Sequence, residues 1–325
     1  MDTNFWKSLP RPIIALAPMV GVTDSAFRQI AKRFGADVVY SEMVSADALV
    51  HESKKTIDML RFAPEEQPLV VQLMGKDPSV LAQAARFVEE RGVAGIDINF
   101  GCPAHKIARN YCGAALMRDP DLCKRLIAAV IEAVSIPVSI KVRASIRSAA
   151  HGIADRSAVT VLDMLEHIQD LPLAAIMVHG RSFEDPFEGG IRTDVIRAVK
   201  ERFMNGPVLA NGGVTTIESA REVLNQTGAD GLGLARSVIG RPWVIAQVKQ
   251  YLATESFDAM AWEKIKMILA DHVALFDRSR NSVPFREIRR HLTHYVRGHE
   301  RASELRQKLT MADSPADVSA ILATA

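Results

Sequence analysis

Residues 69–99 read LVVQLMGKDPSVLAQAARFVEERGVAGIDIN, with two short apolar runs on either side of a longer amphipathic segment. The run Leu69–Leu73 is apolar on both faces, which is typical of a strand in a covered parallel sheet, and Gly95–Asn99 is a second such candidate. Between them, apolar residues from Ser79 to Arg91 recur at helical spacing, and Gly92 follows as a stop signal. This stretch therefore predicts one strand–helix–strand unit.

The same alternation extends in both directions, from Ile13 to about Arg236. The further predicted strands are Ile13–Leu16, Asp37–Tyr40, Pro137–Val142, Ala175–His179, Pro207–Asn211 and Gly231–Leu234. Eight strands separated by helices within about 220 residues favour an α/β fold of the (β/α)8 TIM-barrel type over an open doubly wound sheet.

Strand signals stop after Arg241-Pro242-Trp243, and only helical patterns follow. The predicted helices are Trp262–Phe276, Pro284–Val296, Arg301–Leu309 and a last short one opened by Pro315. We therefore expect a barrel domain over residues 1–242 and a small all-helical domain over residues 243–325. The segment Ala144–Ile153 has no clear periodicity, so neither its structure nor its role is predicted.

Composition excludes several classes of protein. The 325 residues are 48% hydrophobic and 24% charged, unlike a disordered or collagen-like chain. The net charge of +2 gives no information about partners. The sequence has no run of 18 apolar residues and no signal-peptide pattern, so we expect no membrane span. Three cysteines without a CxxC spacing favour a reducing compartment, and a cytoplasmic location is expected.

Polar residues occur where the predicted strands end, which is where a TIM barrel carries its active site. They are, with one apolar exception, Met19, Glu42, Gln72, Asn99, Lys141, His179, Asn211 and Arg236. Each could simply cap its own strand by bonding loop backbone. Because an unpaired buried polar group costs about 1–3 kcal/mol, the whole ring of them favours a ligand site.

Two glycines and an arginine predict a phosphate site. Asn211-Gly212-Gly213 precedes a predicted helix, so the backbone can approach an anion closely and direct free N–H groups at it. Ala235-Arg236 lies in the loop after the eighth strand, and loops seven and eight hold phosphate in many barrels. A Gly-Gly pair is often only a turn, but together with Arg236 it favours a phosphorylated ligand.

Lys141 and Cys102 are the candidate reactive groups. Lys141 is a candidate anion clamp, Schiff-base lysine or surface residue, and Arg143 on the same face favours an electron-rich ligand. Gly101 and Pro103 hold Cys102 in a tight loop, which favours proton transfer over an inert buried thiol.

No metal site is predicted from the histidines. His291 and His294 are three residues apart on a predicted helix, but no third ligand is near them in the sequence. A solvent-facing or RNA-facing pair is the expected arrangement.

An ordered set of motifs resembles the tRNA-dihydrouridine synthases over nearly the whole chain. The motifs are Ala17-Pro18-Met19-Val20-Gly21-Val22-Thr23-Asp24, Ser41-Glu42-Met43, Val71-Gln72-Leu73-Met74-Gly75, Asp97-Ile98-Asn99-Phe100-Gly101-Cys102-Pro103, Ile140-Lys141-Val142-Arg143, His179-Gly180-Arg181, Asn211-Gly212-Gly213 and, in the helical tail, residues 289–298. The set is highly specific, whereas one motif alone is not. Residues 41–46 are similar to the bacterial B-type branch, although which tRNA uridine is modified is not predicted.

The resemblance implies an FMN-dependent enzyme that uses NADPH to reduce uridines in tRNA to 5,6-dihydrouridine. Hydride would pass from reduced FMN to C6, and Cys102 would protonate C5 as the general acid. Asn99 and Arg143 would bind the substrate, Gln72 would bond the pyrimidine end of the flavin, and Lys141 would stabilise its charge. The residues implied to bind FMN are Ala17, Pro18, Met19, Gln72, Lys141, His179, Asn211, Gly212, Gly213, Ala235 and Arg236.

The helical tail has a strong charge bias. From Arg278 to Lys308 the chain has nine basic and three acidic residues, a local net charge of +6 in a protein of net charge +2. A charge run is often only a solvated face, but this asymmetry favours RNA binding. Arg289 and Arg290 would contact phosphates, and Tyr295 would offer a stacking surface.

Other interpretations stay open at this point. An FMN-dependent oxidoreductase acting on a small pyrimidine or enone would fit the same barrel, but it would not need the basic tail. A non-catalytic RNA-binding protein and a Schiff-base aldolase are further alternatives. Ala235 stands where the family more often has glycine, so the backbone N–H is kept but the extra methyl group crowds the phosphate. A monomer is expected, and no dinucleotide motif decides between NADPH and NADH.

Overall fold

The strands predicted from the sequence are all present. The computed structural model describes residues 4–147, 158–185, 189–279 and 283–325. The strands in these residues are β1 (Ile13–Leu16), β2 (Val38–Ser45), β3 (Leu69–Met74), β4 (Gly95–Phe100), β5 (Val138–Arg143), β6 (Ser145–Arg147), β7 (Ala158–Thr160), β8 (Ala175–His179), β9 (Val208–Asn211) and β10 (Gly231–Leu234). The largest difference is in β2, which continues to Ser45 instead of ending at Tyr40.

Eight of these strands close into a barrel. Going around it, β1 is followed by β2, β3, β4, β5, β8, β9 and β10, and β10 pairs with β1 again. Every neighbouring pair is parallel. The predicted (β/α)8 TIM-barrel fold is therefore confirmed, and all strands end at the same rim, where their C-terminal loops meet.

Helices surround the barrel and form the C-terminal region. They are α1 (Ser25–Arg33), α2 (Ala46–Val50), α3 (Lys54–Asp58), α4 (Pro78–Glu89), α5 (His105–Arg109), α6 (Pro120–Ala133), α7 (Val161–Ile168), α8 (Thr193–Arg202), α9 (Glu218–Thr227), α10 (Val244–Thr254), α11 (Trp262–Ser279), α12 (Arg289–Tyr295), α13 (Ala302–Met311) and α14 (Pro315–Ala323). Among the residues that the structure describes, no helix is long and apolar enough to cross a membrane.

Helix α4 shows how sequence determines these elements. Asp77 caps its first turn by accepting hydrogen bonds from the backbone N–H groups of Ser79 and Val80, at 2.8 and 3.1 Å. Its inward face buries Leu81 and Val88 completely. Burying one such side chain stabilises the fold by roughly 2 kcal/mol relative to leaving it exposed.

Helix α10 lies on the barrel, although it follows residue 242. It packs against α9, and Arg221 of α9 donates a 2.7 Å hydrogen bond to the carbonyl of Tyr251. Lys249 of α10 pairs with Asp37, just before β2, at 2.6 Å. The division of the chain into two domains at residue 242 stays a prediction, but α10 completes the outer ring of helices.

The tail is joined to the barrel through α11, which packs along α1. At this junction the rings of Phe27 and His272 lie 5.6 Å apart, and the His291 ring lies 4.7 Å from that of His272. Both histidines are fully buried, and burial lowers the pKa of His272 to about 3. The expectation that His291 faces solvent or RNA is therefore wrong, because it forms part of the apolar interface.

Tyr295 belongs to the same interface. Its side chain is 1% exposed, and its hydroxyl lies 3.0 Å from Nδ1 of His272. It is spaced four residues from His291, so both project from the face of α12 that packs inward. The predicted stacking of Tyr295 on RNA is therefore wrong.

The segment without periodicity begins with a hairpin strand. Strands β6 and β7 pair antiparallel, with Ser145 opposite Thr160. The remainder of the Ala144–Ile153 segment, from residue 148 onward, lies outside the described residues.

Candidate active site

A cavity of about 840 Å³ opens at the C-terminal rim of the barrel. All the residues that the resemblance assigned to FMN line it, together with Cys102, Asn99 and Arg143. The barrel therefore brings together residues from widely separated parts of the chain. Glu42 is the strand-end residue that does not line the cavity, because its carboxylate accepts the backbone N–H of Gly21 and holds the loop after β1.

The cavity is strongly cationic. Its basic side chains are Lys141, Arg143, Arg181, Arg236 and Arg297. No aspartate or glutamate lines it within the part of the chain that the structure describes. An environment of this kind selects an anionic ligand. Sequence reasoning had given no role to Arg181 or Arg297, although the first lies in a quoted motif and the second in the basic tail.

Lys141 is held by an amide from across the barrel. Its Nζ donates a 2.9 Å hydrogen bond to Oδ1 of Asn211, whose Nδ2 donates to the carbonyl of Gly233 at 2.7 Å. Burial, reinforced by Arg143, lowers the pKa of Lys141 to about 8, while Asp97 acts in the opposite direction. The amine is therefore mostly protonated at neutral pH.

His179 is uncharged in this setting. Burial lowers its pKa to about 2, and the neighbouring Lys141, Arg143, Arg181 and Arg236 contribute in the same direction. Nη1 of Arg181 lies 3.3 Å from Nε2 of the ring. Because the guanidinium can only donate, Nε2 is the acceptor and the ring proton is on Nδ1.

The loop after β9 forms a cradle that only glycine permits. Gly212 and Gly213 have φ angles of +89° and +78°. A Cβ on Gly212 would lie 2.8 Å from Cδ2 of His179, and one on Gly213 would lie 2.9 Å from Ile191. Without side chains, the backbone of this loop lies open to the cavity and a ligand can approach it closely.

Two buried donors in this wall have no hydrogen-bond partner among the described residues. They are Nε of Arg181, on a side chain that is 3% exposed, and Oγ of Ser237, which follows Arg236. An unpaired buried donor costs about 1–3 kcal/mol, so each is poised for a ligand oxygen. The cation cluster, the glycine cradle and these orphaned donors fit a phosphorylated cofactor such as FMN.

Beneath the cavity, three side chains form a chain of hydrogen bonds that we call the amide relay: Asn99, Gln72 and Asp97. Nδ2 of Asn99 donates to Oε1 of Gln72 at 2.7 Å, and Nε2 of Gln72 donates to Oδ2 of Asp97 at 2.7 Å. Ser139 donates to the other carboxylate oxygen at 2.7 Å. Burial raises the pKa of Asp97 to about 6.

The relay ends at the loop that carries Cys102. Oδ1 of Asn99 accepts the backbone N–H groups of Gly101 and Cys102, at 3.1 and 2.9 Å. Cys102 is half-buried and lines the cavity, whereas Cys112 and Cys123 are buried. Burial raises the pKa of both of those thiols, so Cys102 is the one cysteine available to a ligand.

Arg143 ties two loops together at the cavity wall. Its Nε donates to the carbonyl of Gly101 at 3.0 Å, and its Nη1 donates to the carbonyl of Ser182 at 2.6 Å. The guanidinium therefore supports the Cys102 loop from the side opposite the relay. Its predicted contact with substrate stays a prediction.

The tail arginines predicted to bind RNA do not line the cavity. Arg289 donates to the carbonyl of Ala312 at 2.8 Å and pairs with Asp313. Arg290 pairs with Glu287, and its guanidinium occupies the space beside the bare Cα of Gly21. Both are positioned by neighbours in the tail or at its junction with the barrel, and their contact with RNA stays a prediction.

A TIM barrel whose cavity, among the described residues, is lined by cations and by no carboxylate, with one accessible thiol at its rim, defines an enzyme that handles an anionic ligand. Among the described residues, no group of three or more His, Cys, Asp or Glu side chains could hold a metal ion. The profile of the dihydrouridine synthase (Dus) family matches residues 15–325. The chain therefore belongs to the dihydrouridine synthase family.

Two bacterial relatives illustrate the similarity. A tRNA-dihydrouridine synthase B of Pseudomonas aeruginosa is 39% identical over 268 residues, covering 82% of this chain and 78% of the relative. A probable tRNA-dihydrouridine synthase of Rickettsia conorii is 36% identical over 306 residues, covering 93% of this chain and 89% of the relative.

Solved structures share the fold at low identity. Histamine dehydrogenase from Rhizobium sp. 4-9 superposes with a TM-score of 0.55 at 14% identity, over 81% of this chain and 49% of the dehydrogenase chain. A 6-hydroxypseudooxynicotine amine oxidase from Pseudomonas geniculata gives a TM-score of 0.53 at 15% identity, over 74% and 47% of the two chains. This chain spans about half the length of each, and the likeness shows the fold alone.

Proposed function

We propose that this protein reduces specific uridines in tRNA to 5,6-dihydrouridine, with FMN as its bound cofactor and NADPH as the electron donor. The observation that carries the proposal is that Cys102 shares one cavity with the glycine cradle and a half-buried lysine, Lys141. Relatives named tRNA-dihydrouridine synthase B support the choice of substrate. Because that substrate is tRNA, we place the protein in the cytoplasm.

The wall formed by the loops after β9 and β10 would hold the cofactor phosphate. Gly212 and Gly213 leave their backbone open, while Arg236, Arg181 and Ser237 supply donors and charge. Asn211 would support the site through Lys141. Ala235 keeps the backbone N–H that a glycine would offer at this position.

Other residues of the cavity would contact the ring system. Ala17, Pro18 and Met19 line it as an apolar wall, and His179 offers a neutral ring. The protonated Lys141 would place positive charge beside the electron-rich edge of the ring, and the spare N–H of Gln72 would reach that same edge. When bound, the reduced cofactor supplies the hydride for C6, and NADPH restores its electrons.

Cys102 would complete the reduction. Its Sγ–H gives a proton to C5 of the uracil, so that one hydride and one proton saturate the C5=C6 bond. The thiolate left behind interacts favourably with Lys141 and Arg143, which lie on the same side of the cavity. Solvent then reprotonates the sulfur before the next turnover.

The uridine must leave the stacked RNA to reach this site. Asn99 and Arg143 would bind the extruded base, although both amide ends of Asn99 already serve the relay and leave it one spare N–H. Arg297 extends the cationic surface from the cavity into the tail, where Arg289 and Arg290 would meet phosphates.

Substitution of Cys102 tests the proposal directly. We expect wild-type protein, purified yellow with FMN, to form dihydrouridine in tRNA from a strain that lacks the enzyme. Cys102→Ala should bind FMN normally but lower the rate by about 100-fold or more, because general-acid catalysis contributes 10²–10⁴-fold. Cys112→Ala serves as the matched control and should keep wild-type activity.

Three outcomes would contradict the proposal. Protein that takes up no flavin even in excess FMN would exclude the cofactor. Full activity of Cys102→Ala would remove the thiol from its role as the acid. Reduction of free uracil or uridine with no reaction on tRNA would favour the small-pyrimidine alternative.

A further inference from the structure

Asp97 has no contact with the cavity, yet it determines how the amide relay is oriented. It is fully buried on β4, with both carboxylate oxygens engaged by donors from Gln72 of β3 and Ser139 of β5. An ionised carboxylate accepts hydrogen bonds and cannot donate them. Gln72 must therefore present its NH2 group to Asp97.

That constraint passes along the relay. With its NH2 group toward Asp97, Gln72 can offer only its carbonyl oxygen to Asn99, so Asn99 must in turn present its NH2 group. The carbonyl oxygen of Asn99 is then left for the backbone N–H groups of Gly101 and Cys102. Turning either amide over would place donor against donor or acceptor against acceptor and leave buried polar groups unpaired, which disfavours that arrangement.

We propose that Asp97 is a positioning residue, whose buried carboxylate sets the amides of Gln72 and Asn99 and thereby fixes the loop that carries Cys102. It acts through a neighbouring strand, since the hydrogen bonds run from β4 to β3 and back. The inference rests on the proposed function in one respect: a fixed thiol matters for catalysis because Cys102 is the proposed acid. The positioning itself is a property of the folded chain.

Alkylation of Cys102 by iodoacetamide measures this positioning without tRNA. In the full-length protein loaded with FMN, we expect Asp97→Leu and Asn99→Leu each to raise the alkylation rate of Cys102 by about threefold or more, because the loop opens more often. Peptide mass spectrometry reports Cys112 and Cys123 in the same sample. Both are buried and should keep their wild-type rates.

Matched variants separate orientation from charge and from burial. Asp97→Asn keeps an oxygen acceptor for Gln72, and Ser139→Ala leaves the relay intact, so both should stay within about 1.5-fold of the wild-type rate. The double variant Asp97→Leu with Asn99→Leu should alkylate no faster than either single variant, because both changes break the same relay. In tRNA reduction, Asp97→Leu should lower kcat about tenfold and change KM less than about twofold.

An unchanged or slower alkylation of Cys102 in folded Asp97→Leu would overturn the inference, as would an additive double variant. If Asp97→Leu does not show a cooperative unfolding transition, Asp97→Ala removes the carboxylate without adding volume and must give the same rise. Failure of the wild-type protein to reduce tRNA would refute the proposed function but leave the alkylation result standing.

Discussion

Lys141 shows how a single half-buried side chain gains its chemistry from its neighbours. A lysine at a strand end is compatible with a Schiff base, an anion clamp or a surface position. In the structure, the 2.9 Å hydrogen bond to Asn211 holds the amine in place. Burial and the nearby Arg143 lower its pKa to about 8. Its charge is therefore present at neutral pH and is lost as the pH rises through about 8.

The midpoint potential of bound FMN should report that charge. Lys141→Met should lower the potential at pH 6.5 by roughly 30–60 mV, because a charge-assisted hydrogen bond is worth about 1.5–3 kcal/mol and the couple transfers two electrons. At pH 9.5 wild type has lost the proton, so the gap between the two proteins should nearly close. Spectrophotometric redox titration measures both values.

The control for this prediction is Lys124→Met, which removes an exposed lysine paired with Asp170. It should leave the potential unchanged at either pH. A gap between wild type and Lys141→Met that is equally large at both pH values would show that the Lys141 charge is not its cause.

His272 makes a residue-scale prediction about stability. Its folded-state pKa of about 3 lies below the unfolded value near 6.5, so the unfolded state binds its proton first as the pH falls. The stability that comes from keeping this ring neutral is present above pH 6.5 and is lost below it. Asparagine at this position cannot titrate. From pH 7 to pH 5, the free energy of unfolding should therefore fall by about 1–2 kcal/mol more in wild type than in His272→Asn.

Urea unfolding at pH 7, 6 and 5 measures that difference. Loss of the Tyr295 contact should also change the stability of His272→Asn by an amount that does not depend on pH. A gap that stays constant across the three pH values would contradict the buried, neutral state of His272. His51→Asn, at an exposed histidine, serves as the control and should track wild type at all three values.

At the scale of elements, the loop after β9 and the end of the following helix use glycine for different reasons. Gly212 has a positive φ and is also crowded by His179, whereas Gly228 has a positive φ at the end of α9 with open space around it. The first position shapes the cavity, while the second only terminates a helix.

Alanine at these two glycines should separate binding from stability. Gly212→Ala should weaken FMN binding by about tenfold or more, because the loop must move away from His179 and from the ligand. Gly228→Ala should cost about 1 kcal/mol in stability through backbone strain and leave FMN affinity unchanged. Fluorescence titration with FMN and thermal melts of both apoproteins provide the two readouts, and equal loss of affinity in both variants would refute the cradle.

The barrel strands were predictable from sequence because buried parallel strands are apolar on both faces and recur with helices between them. The polar residues at the ends of these strands were also predictable, because Gln72, Lys141 and His179 stand out against runs of Val, Ile and Leu. The β6–β7 hairpin was not, because its short strands carry no periodic pattern. Its pairing depends on tertiary contacts.

The predictions for His291 and Tyr295 were wrong because a count of charges does not show which way a side chain points. The sequence shows that α12 is basic, but it does not show which of its faces meets the barrel. That face carries His291 and Tyr295, which are buried, and only the structure reveals it. Likewise Arg181, Ser237 and Arg297 come from three separate elements, and only barrel closure and tail docking bring them to one cavity.

For the whole molecule, the arrangement of charge matters more than its total. The net charge is +2, yet the described residues that line the cavity include five cations, and the tail extends that surface through Arg297. A tRNA bound here would release counterions, so its affinity should weaken steeply as salt rises.

Arg297→Ala should weaken tRNA binding and reduce the slope of log affinity against log salt by about one, as expected for the loss of one phosphate contact. FMN binding should be unchanged. Arg125→Ala, at an exposed cation on α6 in the outer ring of the barrel, is the matched control and should leave the slope at its wild-type value. Filter-binding titrations at several salt concentrations measure it, and equal slopes for all three proteins would contradict the assignment of Arg297.

The packing of α12 against the barrel limits which barrels and helical tails can be joined in one protein. Arg290, at one end of the helix, fills the space beside Gly21, and His294 would collide with any side chain on Gly240. This tail would therefore fit the barrel of another family member only if that barrel also has glycine at the positions of Gly21 and Gly240. The appended region is consequently not an interchangeable module, and chimeras built by simple cut-and-paste at the junction should misassemble unless both glycines travel with their partners.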